Sequence, residues 1–187
     1  ALTAARYFND AEMSALAKKL YARVDWNWMT NGTKFLCMGW KPEEGFLPAQ
    51  WDHYNESMVL YILAMGTPTH PLGPEGWKAM RRPVGVYKGH KVIMCPPLFT
   101  HQFSHIFIDF RGKNDGIADY FKNSVEATLA NRQFCIDNAD TFRTYGENSW
   151  GLTACMGPDG YMAYGSPPGQ ALHDGTVAPA AAAGSLV

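Results

Sequence analysis

The sequence carries no surplus of either charge. Lys and Arg total 16 against 17 Asp and Glu, for a formal net charge of −1. Without a basic excess there is no footprint for neutralising phosphates, which argues against nucleic-acid binding and against docking on an anionic membrane surface. No apolar run approaches the roughly 20 residues that a membrane-spanning helix needs. The opening residues ALTAARYFND lack the apolar stretch of a signal peptide, which leaves open a chain that starts after one. The four cysteines, Cys37, Cys95, Cys135 and Cys155, stand too far apart for a C-x-x-C clamp, so a cysteine zinc site is not expected. They are read as single buried thiols, with their disulfide state and redox compartment open. Also missing are a G-x-S-x-G elbow, a phosphate-binding Walker loop and a G-x-G-x-x-G after a strand, so three common catalytic or nucleotide-binding templates have no support.

What is present is apolar and aromatic. Hydrophobic residues make up 47% and charged residues 18% of the 187, the balance of one globular domain with a real core. There are 6 Trp, 9 Tyr and 10 Phe. Many of these rings, including Trp26, Trp28, Trp40, Trp51 and Trp150, stand beside Gly, Pro, Asn or Asp in loop-like sequence. Core rings sit more often inside regular elements, so this placement points to carbohydrate, whose apolar ring faces stack on aromatic side chains.

The pattern along the chain is mainly helical. Asn9 to Val24 carries Met13, Leu16, Ala17, Leu20, Tyr21 and Val24 at helical spacing, with Asn9 and Glu12 as a capping pair. Asn31-Gly32 predicts a short hairpin, and KPEEGFLP predicts a loop. NESMVLYILAMG predicts a helix apolar nearly all round, ending with Gly66 in the C′ position, which suits the inner layer of a two-layer helical structure. A short helix is expected at Pro74, a β-ribbon around Lys88-Gly89, a helix over PPLFTHQFSHIFIDF, and a long helix capped by Asp119. From Tyr145 onward the chain turns rich in Gly, Pro, Asn and Asp, an irregular stretch of the kind that carries function. A last helix is expected from Pro179, and the apolar end at Val187 suggests a chain cut inside a larger fold.

Two sets of residues carry candidate chemistry. His101 and His105 stand four apart with Gln102 where a zinc protease has glutamate. Asp109 is four further on, but three ligands at such spacing spread over about 12 Å of helix axis, more than one metal can collect. A hydrogen-bonded structural role ranks first for the histidines, lining of a polar pocket second, and metal binding third. Glycoside hydrolysis asks instead for two carboxylates flanking a bond. Glu56 opens an almost wholly apolar helix in WDHYNES, and Glu147 lies between Tyr145, Asn148 and Trp150 in YGENSWG. Asp52 and Asp109 also stand beside bulky apolar residues. Any one of these taken alone is more often a structural hydrogen bond to backbone or to Arg111.

FLCMGWKPEEGFLPAQWDHYNESMVLYILAMGTPTHPL, PPLFTHQFSHIFIDFRG, DYFKNSVEATLANRQFCIDN, YGENSWGLTACMGPDGY and DGTVAPAAAAGSL, in this order, resemble the glycoamylase-like domain family, which includes bacterial endo-β-1,2-glucanases and the related domain of cyclic β-1,2-glucan synthases. The resemblance covers about Val24 to the last residue. It implies an all-α fold, an (α/α)6 toroid, incomplete here because six helical hairpins need about twelve helices. Short β-ribbons and long irregular loops would form the cleft. Residues 1–187 would be a single catalytic domain, a fragment of a larger toroid. The implied activity is hydrolysis or transglycosylation of β-1,2-glucan, with no cofactor and no metal. Glu56 and Glu147 would be the leading carboxylates, with Asp52 in support. Trp40, Trp51 and Trp150 would stack on sugar, and Tyr145 and Asn148 would line the site. His101, Gln102, His105, Asp109 and Arg111 would form a polar cluster at the cleft. A glucan is the expected partner, and the periplasm or extracellular space the expected location, with a membrane-bound parent protein as the other setting. The competing readings are a glucan-binding module without turnover and a metal-dependent hydrolase using His101 and His105.

Overall fold

The computed structural model describes residues 1–185. They gather into two compact units, one of residues 1–53 and 57–81, the other of residues 54–56 and the chain from Arg82 onward.

The first unit contains α1 (Leu2–Phe8), α2 (Ala11–Ala22), a two-residue antiparallel ladder of β1 (Trp40–Lys41) with β2 (Gly45–Phe46), α3 (Met58–Gly66) and α4 (Glu75–Ala79). The helix expected over Asn9–Val24 is α2, two residues shorter at each end, and the separate α1 precedes it. Asn9 takes a left-handed conformation, φ 51°, and closes α1, so the capping role passes to Asp10, whose carboxylate accepts from the Met13 amide at 2.7 Å. Of the expected apolar stripe only Ala17 is buried, and Leu16 and Leu20 are exposed. Asn31 and Gly32 both take positive φ, as a tight hairpin turn demands, yet no hairpin ladder forms. The Asp25 carboxylate accepts from the Trp28 amide at 2.9 Å and winds Trp28–Thr30 into a 3₁₀ turn, which removes one of the two strands. The expected KPEEGFLP loop is in part a ladder, with Lys41 opposite Gly45 and Trp40 opposite Phe46 around a turn at 42–44, and Lys41 pairs with Glu44 there at 3.0 Å.

Helix α3 starts three residues later than expected, and Gly66, expected beyond the helix in the C′ position, is its last helical residue. Its end is set by Thr67, which is extended because it precedes Pro68. Met58, Tyr61 and Ala64 are its buried positions, so the helix buries one stripe more deeply than the rest. The Tyr61 hydroxyl donates to the Trp51 carbonyl at 2.7 Å and accepts from the Leu36 amide at 3.2 Å, tying the loop before α3 to its buried face. Tyr21 donates to the Leu63 carbonyl at 2.5 Å. Pro74 serves as N-cap of α4 and lies one residue before the helix.

The second unit is built around α5 (Tyr120–Asp137), capped by Asp119, whose carboxylate accepts from the Lys122 amide at 2.9 Å as expected. Its buried face runs Tyr120, Asn123, Ala127, Ala130, Asn131, Phe134 and Cys135. The expected ribbon is present as β3 (Val84–Tyr87) antiparallel to β4 (His90–Ile93), turning at Lys88-Gly89 and packing on α5. A small hairpin of β5 (Cys155–Gly157) and β6 (Gly160–Met162) and the short α6 (Pro179–Ala183) complete the unit. The α6 helix starts at Pro179 as expected, while the final residues of that expectation lie outside the described residues. Val92, Leu98, Ala127, Ala130 and Ala181 form one core cluster, and Phe134, Cys135, Tyr145 and Leu152 another.

The stretch PPLFTHQFSHIF is not the expected α-helix. It forms two 3₁₀ turns, Leu98–His101 and Phe103–Ile106. Its first amides bond outward, Leu98 to the Leu152 carbonyl at 3.1 Å and Phe99 to the Thr153 hydroxyl at 2.9 Å, and partners beyond the segment replace an α-helical ladder. All four cysteines are free thiols, and Cys135, buried on α5, has its thiol pushed up to about 12 by burial. Among the described residues no helix is long and apolar enough to cross a membrane.

Candidate functional site

Glu56 belongs to the second unit through the short segment 54–56. Two positions before it, the Tyr54 ring is 1% exposed and stacks parallel to Tyr120 with centroids 6.1 Å apart. Its hydroxyl lies 3.1 Å from His101 Nδ1, and Asn123 Nδ2 lies 3.1 Å from that hydroxyl and 3.2 Å from Nδ1. His101 Nε2 is 2.9 Å from the Cys95 carbonyl. A carbonyl can only accept, so Nε2 carries the proton and Nδ1 accepts. The Tyr54 hydroxyl therefore donates to His101 and accepts from Asn123, whose Oδ1 accepts in turn from the Ile93 amide at 2.7 Å. Burial pushes the His101 pKa down to about 4, outweighing the bond to Cys95, so the ring is neutral. Burial likewise lifts the Tyr54 phenol far above its ordinary range. Glu56 itself is half-buried, and its carbonyl accepts from the Ser104 hydroxyl at 3.0 Å. Burial raises the thiol of Cys95 and outweighs its hydrogen bond with Thr100.

Glu147 has a different setting. Its side chain is 72% exposed and meets Arg132 of α5, which donates from Nη2 to Oε1 at 3.2 Å and from Nε to the Glu147 carbonyl at 3.1 Å. The loop around it is anchored at both ends. Tyr145 is buried, accepts from the Gly175 amide at 3.2 Å, and has its phenol pushed up to about 12 by burial. Asn131 receives the Leu152 amide at 2.9 Å and donates to the Leu152 carbonyl at 3.0 Å. Trp150 packs half-buried against both core clusters, and Asn148 is exposed. One helix thus anchors both carboxylate segments, through Asn123 and Arg132, about 13.5 Å apart along its axis at the helical rise.

The five polar residues of the 101–111 stretch are spread over three environments. His101 is buried in the network above. Gln102 donates to the Ala181 carbonyl at 2.8 Å and to Ser185 at 2.7 Å. His105 leans on Phe110 with centroids 4.7 Å apart, its buried Nε2 has no hydrogen-bond partner among the described residues, and burial lowers its pKa. Gln102 and His105 border a cavity of about 430 Å³ walled by Phe99, Phe103, Phe121, Val125 and Leu129, which neither Glu56 nor Glu147 lines. Asp109 and Arg111 are exposed and paired with each other at 2.8 Å, and that pairing holds the Asp109 carboxyl well below the usual range. His101 spends both ring nitrogens on protein partners, and among the described residues no three His, Cys, Asp or Glu side chains converge as metal ligands.

In the first unit, Asp52 is bound by His53 at 2.7 Å and by Arg81 at 2.5 Å. Burial would raise its carboxyl, but these two partners outweigh it and lower the pKa. Trp51 is half-buried. Trp40 is exposed and stands with Trp28 and Phe46 in one aromatic group, Trp28 lying 5.8 Å from Trp40 and 4.6 Å from Phe46 by ring centroids. Sequence reasoning named Trp40 and Trp28 but not Phe46, nor Tyr54, Ser104, Asn123, Asn131 and Arg132. A usable signal existed for the asparagines: both lie on the stripe of α5 otherwise occupied by Tyr, Ala and Phe, where an amide must find partners.

The chain is similar to known proteins along most of its length. The family model described as "Putative glucoamylase" matches residues 48–187. An exo β-1,2-glucooligosaccharide sophorohydrolase of Parabacteroides distasonis is 26% identical over 99% of this chain, which spans 30% of that relative. The endo-β-1,2-glucanase of Chitinophaga pinensis, solved with sophorotriose and glucose, is 30% identical with TM-score 0.83, over 91% of this chain and 44% of its own. A β-1,2-glucanase of P. distasonis is 25% identical with TM-score 0.87, over 97% of this chain and 31% of its own. The chain therefore spans a third to a half of the length of these relatives. Because the family model matches residues 48–187, well over half of its length, the chain belongs to the glycoamylase family.

Proposed function

We propose that this chain is part of a glycoside hydrolase acting on β-1,2-linked glucan, with Glu56 and Glu147 as its acid and its base or nucleophile. The observation that supports this most is the likeness, over 91% of the chain, to an endo-β-1,2-glucanase solved with sophorotriose and glucose. That both carboxylates belong to the second unit and are anchored by one helix agrees with a paired role. We also infer the (α/α)6 toroid for the whole fold, with this chain supplying part of its helices, because the solved chains it matches are more than twice as long.

The chemistry follows from two carboxyl groups flanking a glycosidic bond. One protonates the leaving oxygen, and the other either activates a water or attacks the anomeric carbon. A carboxyl separation of about 5–5.5 Å gives retention and roughly 6.5–9.5 Å gives inversion. Incubation with β-1,2-glucooligosaccharides tests the reading. Cleavage that disappears in Glu147→Gln while the circular dichroism is unchanged supports it. A folded Glu147→Gln that still cleaves overturns it, and the anomer released first, followed by proton NMR, reports the stereochemistry. A polymeric glucan substrate suits a periplasmic or extracellular location.

A second reading has its own observation. The exposed Trp28 and Trp40, grouped with the half-buried Phe46, can take the face of a sugar ring without any carboxylate. Oligosaccharide binding that survives in Glu56→Gln/Glu147→Gln, from a parent without turnover, would make this chain a glucan-binding module.

A further inference from the structure

We propose that Tyr54, His101 and Asn123 are positioning residues for Glu56, a network that sets the carboxylate in place before substrate arrives. The inference rests on the reading of Glu56 as a reacting group.

The geometry carries it. Glu56 lies two residues beyond a tyrosine that is fixed at both ends, by ring stacking on Tyr120 and by its hydroxyl between His101 and Asn123. Every hydrogen-bonding atom of the His101 ring and every one used by Asn123 has a partner of the right kind, which allows a single tautomer and a single amide orientation. A network complete in this way has no second arrangement of equal energy. On the far side, Ser104 holds the Glu56 carbonyl, so the backbone of the residue is fixed from two directions and only its side-chain torsions remain. The neutral state of His101 adds to this: a second proton on the ring would remove the acceptor that the Tyr54 hydroxyl needs. Among the described residues the His101 ring bonds Tyr54, Asn123 and the Cys95 carbonyl, none of them a carboxylate. Its action on Glu56 runs through Tyr54 and through the two successive 3₁₀ turns, the first carrying His101 and the second Ser104.

Catalysis is sensitive to such placement, since a displacement of about 1 Å can cost as much as 100-fold in rate. The experiment measures kcat and KM on β-1,2-glucooligosaccharides for the 187-residue chain, for Tyr54→Phe, which removes one hydroxyl and no volume, and for Asn123→Ala. Glu56→Gln is measured alone and combined with each. The expected result for Tyr54→Phe is a roughly 10- to 100-fold lower kcat with KM within about twofold, and no further loss when it is added to Glu56→Gln. A merely structural role would lower the melting temperature and leave kcat of the folded protein unchanged, and that result overturns the inference while leaving the reading of Glu56 intact. A Glu56→Gln variant with parental turnover, or a parent with none, overturns both. If Asn123→Ala does not fold, Tyr54→Phe decides alone.

Discussion

Glu56 and Glu147 are held in opposite ways. Glu56 is half-buried, its carbonyl clamped by Ser104 and its neighbour Tyr54 locked into a closed network of buried neutral groups. Glu147 is 72% exposed and meets a single arginine, itself 36% exposed, at 3.2 Å. Buried neutral hydrogen bonds keep their geometry because breaking them strands a polar atom away from water. An exposed ion pair competes with solvent and salt and is worth little on its own. One carboxylate is therefore set by the fold, while the other is steered by a contact that ionic strength can loosen.

The comparison can be broken first at the chemistry. Glu56→Gln and Glu147→Gln should each lower cleavage of β-1,2-glucooligosaccharides by about 100-fold or more, with melting temperatures near the parent's; a folded variant that keeps activity would remove that carboxylate from the pair. The next effect is on stability. Asn131→Ala strands the Leu152 amide and carbonyl inside the second unit and should cost about 3 kcal/mol in chemical denaturation, loosening the loop that carries Glu147.

Acid should act on the Glu56 side through His101. Its pKa is near 4 in the fold against 6.5 as an ordinary histidine. The unfolded chain then binds the extra proton first, so stability is full above pH 6.5 and declines as pH falls from 6.5 toward 4, by about 3 kcal/mol in all. His105, lowered by burial, adds to the same window. Thermal melts between these pH values should flatten in His101→Gln relative to the parent, and an equal slope in both would show that His101 is not the sensor. The smallest effect belongs to the exposed pair. Arg132→Ala should cost under about 1 kcal/mol of stability and reduce turnover modestly. Raising the salt concentration should narrow its gap from the parent, whereas the defect of Tyr54→Phe should not respond to salt.

The helix α5 was legible because capping by Asp119 and a long amphipathic stretch act within a few residues of sequence. The ribbon at Lys88-Gly89 was legible for the same reason: Lys88 and Gly89 take the positive φ that a two-residue turn requires. Where a residue's partner is distant, local pattern misled. The 96–106 stretch has helical spacing but gives its first amides to Leu152 and Thr153, and becomes two 3₁₀ turns. Asn31-Gly32 has the conformation of a hairpin turn without the hairpin, because Asp25 winds one flank into a helical turn.

For the candidate site, the sequence by itself singled out Glu56, Glu147 and the His101 segment, through residue types that are costly to place among apolar neighbours, and its ordered motifs resembled the family that the chain belongs to. Only the tertiary structure decided what those residues do to one another. It left Asp109 paired with Arg111 in solvent, turned His101 into a neutral link between Tyr54 and Cys95, and brought in Asn123 and Arg132 from one helix as anchors. Residue chemistry is local and can be read along the chain, but the satisfaction of a buried donor or acceptor depends on groups dozens of residues away, such as Tyr54 and Asn123, which only folding brings within 3.1 Å.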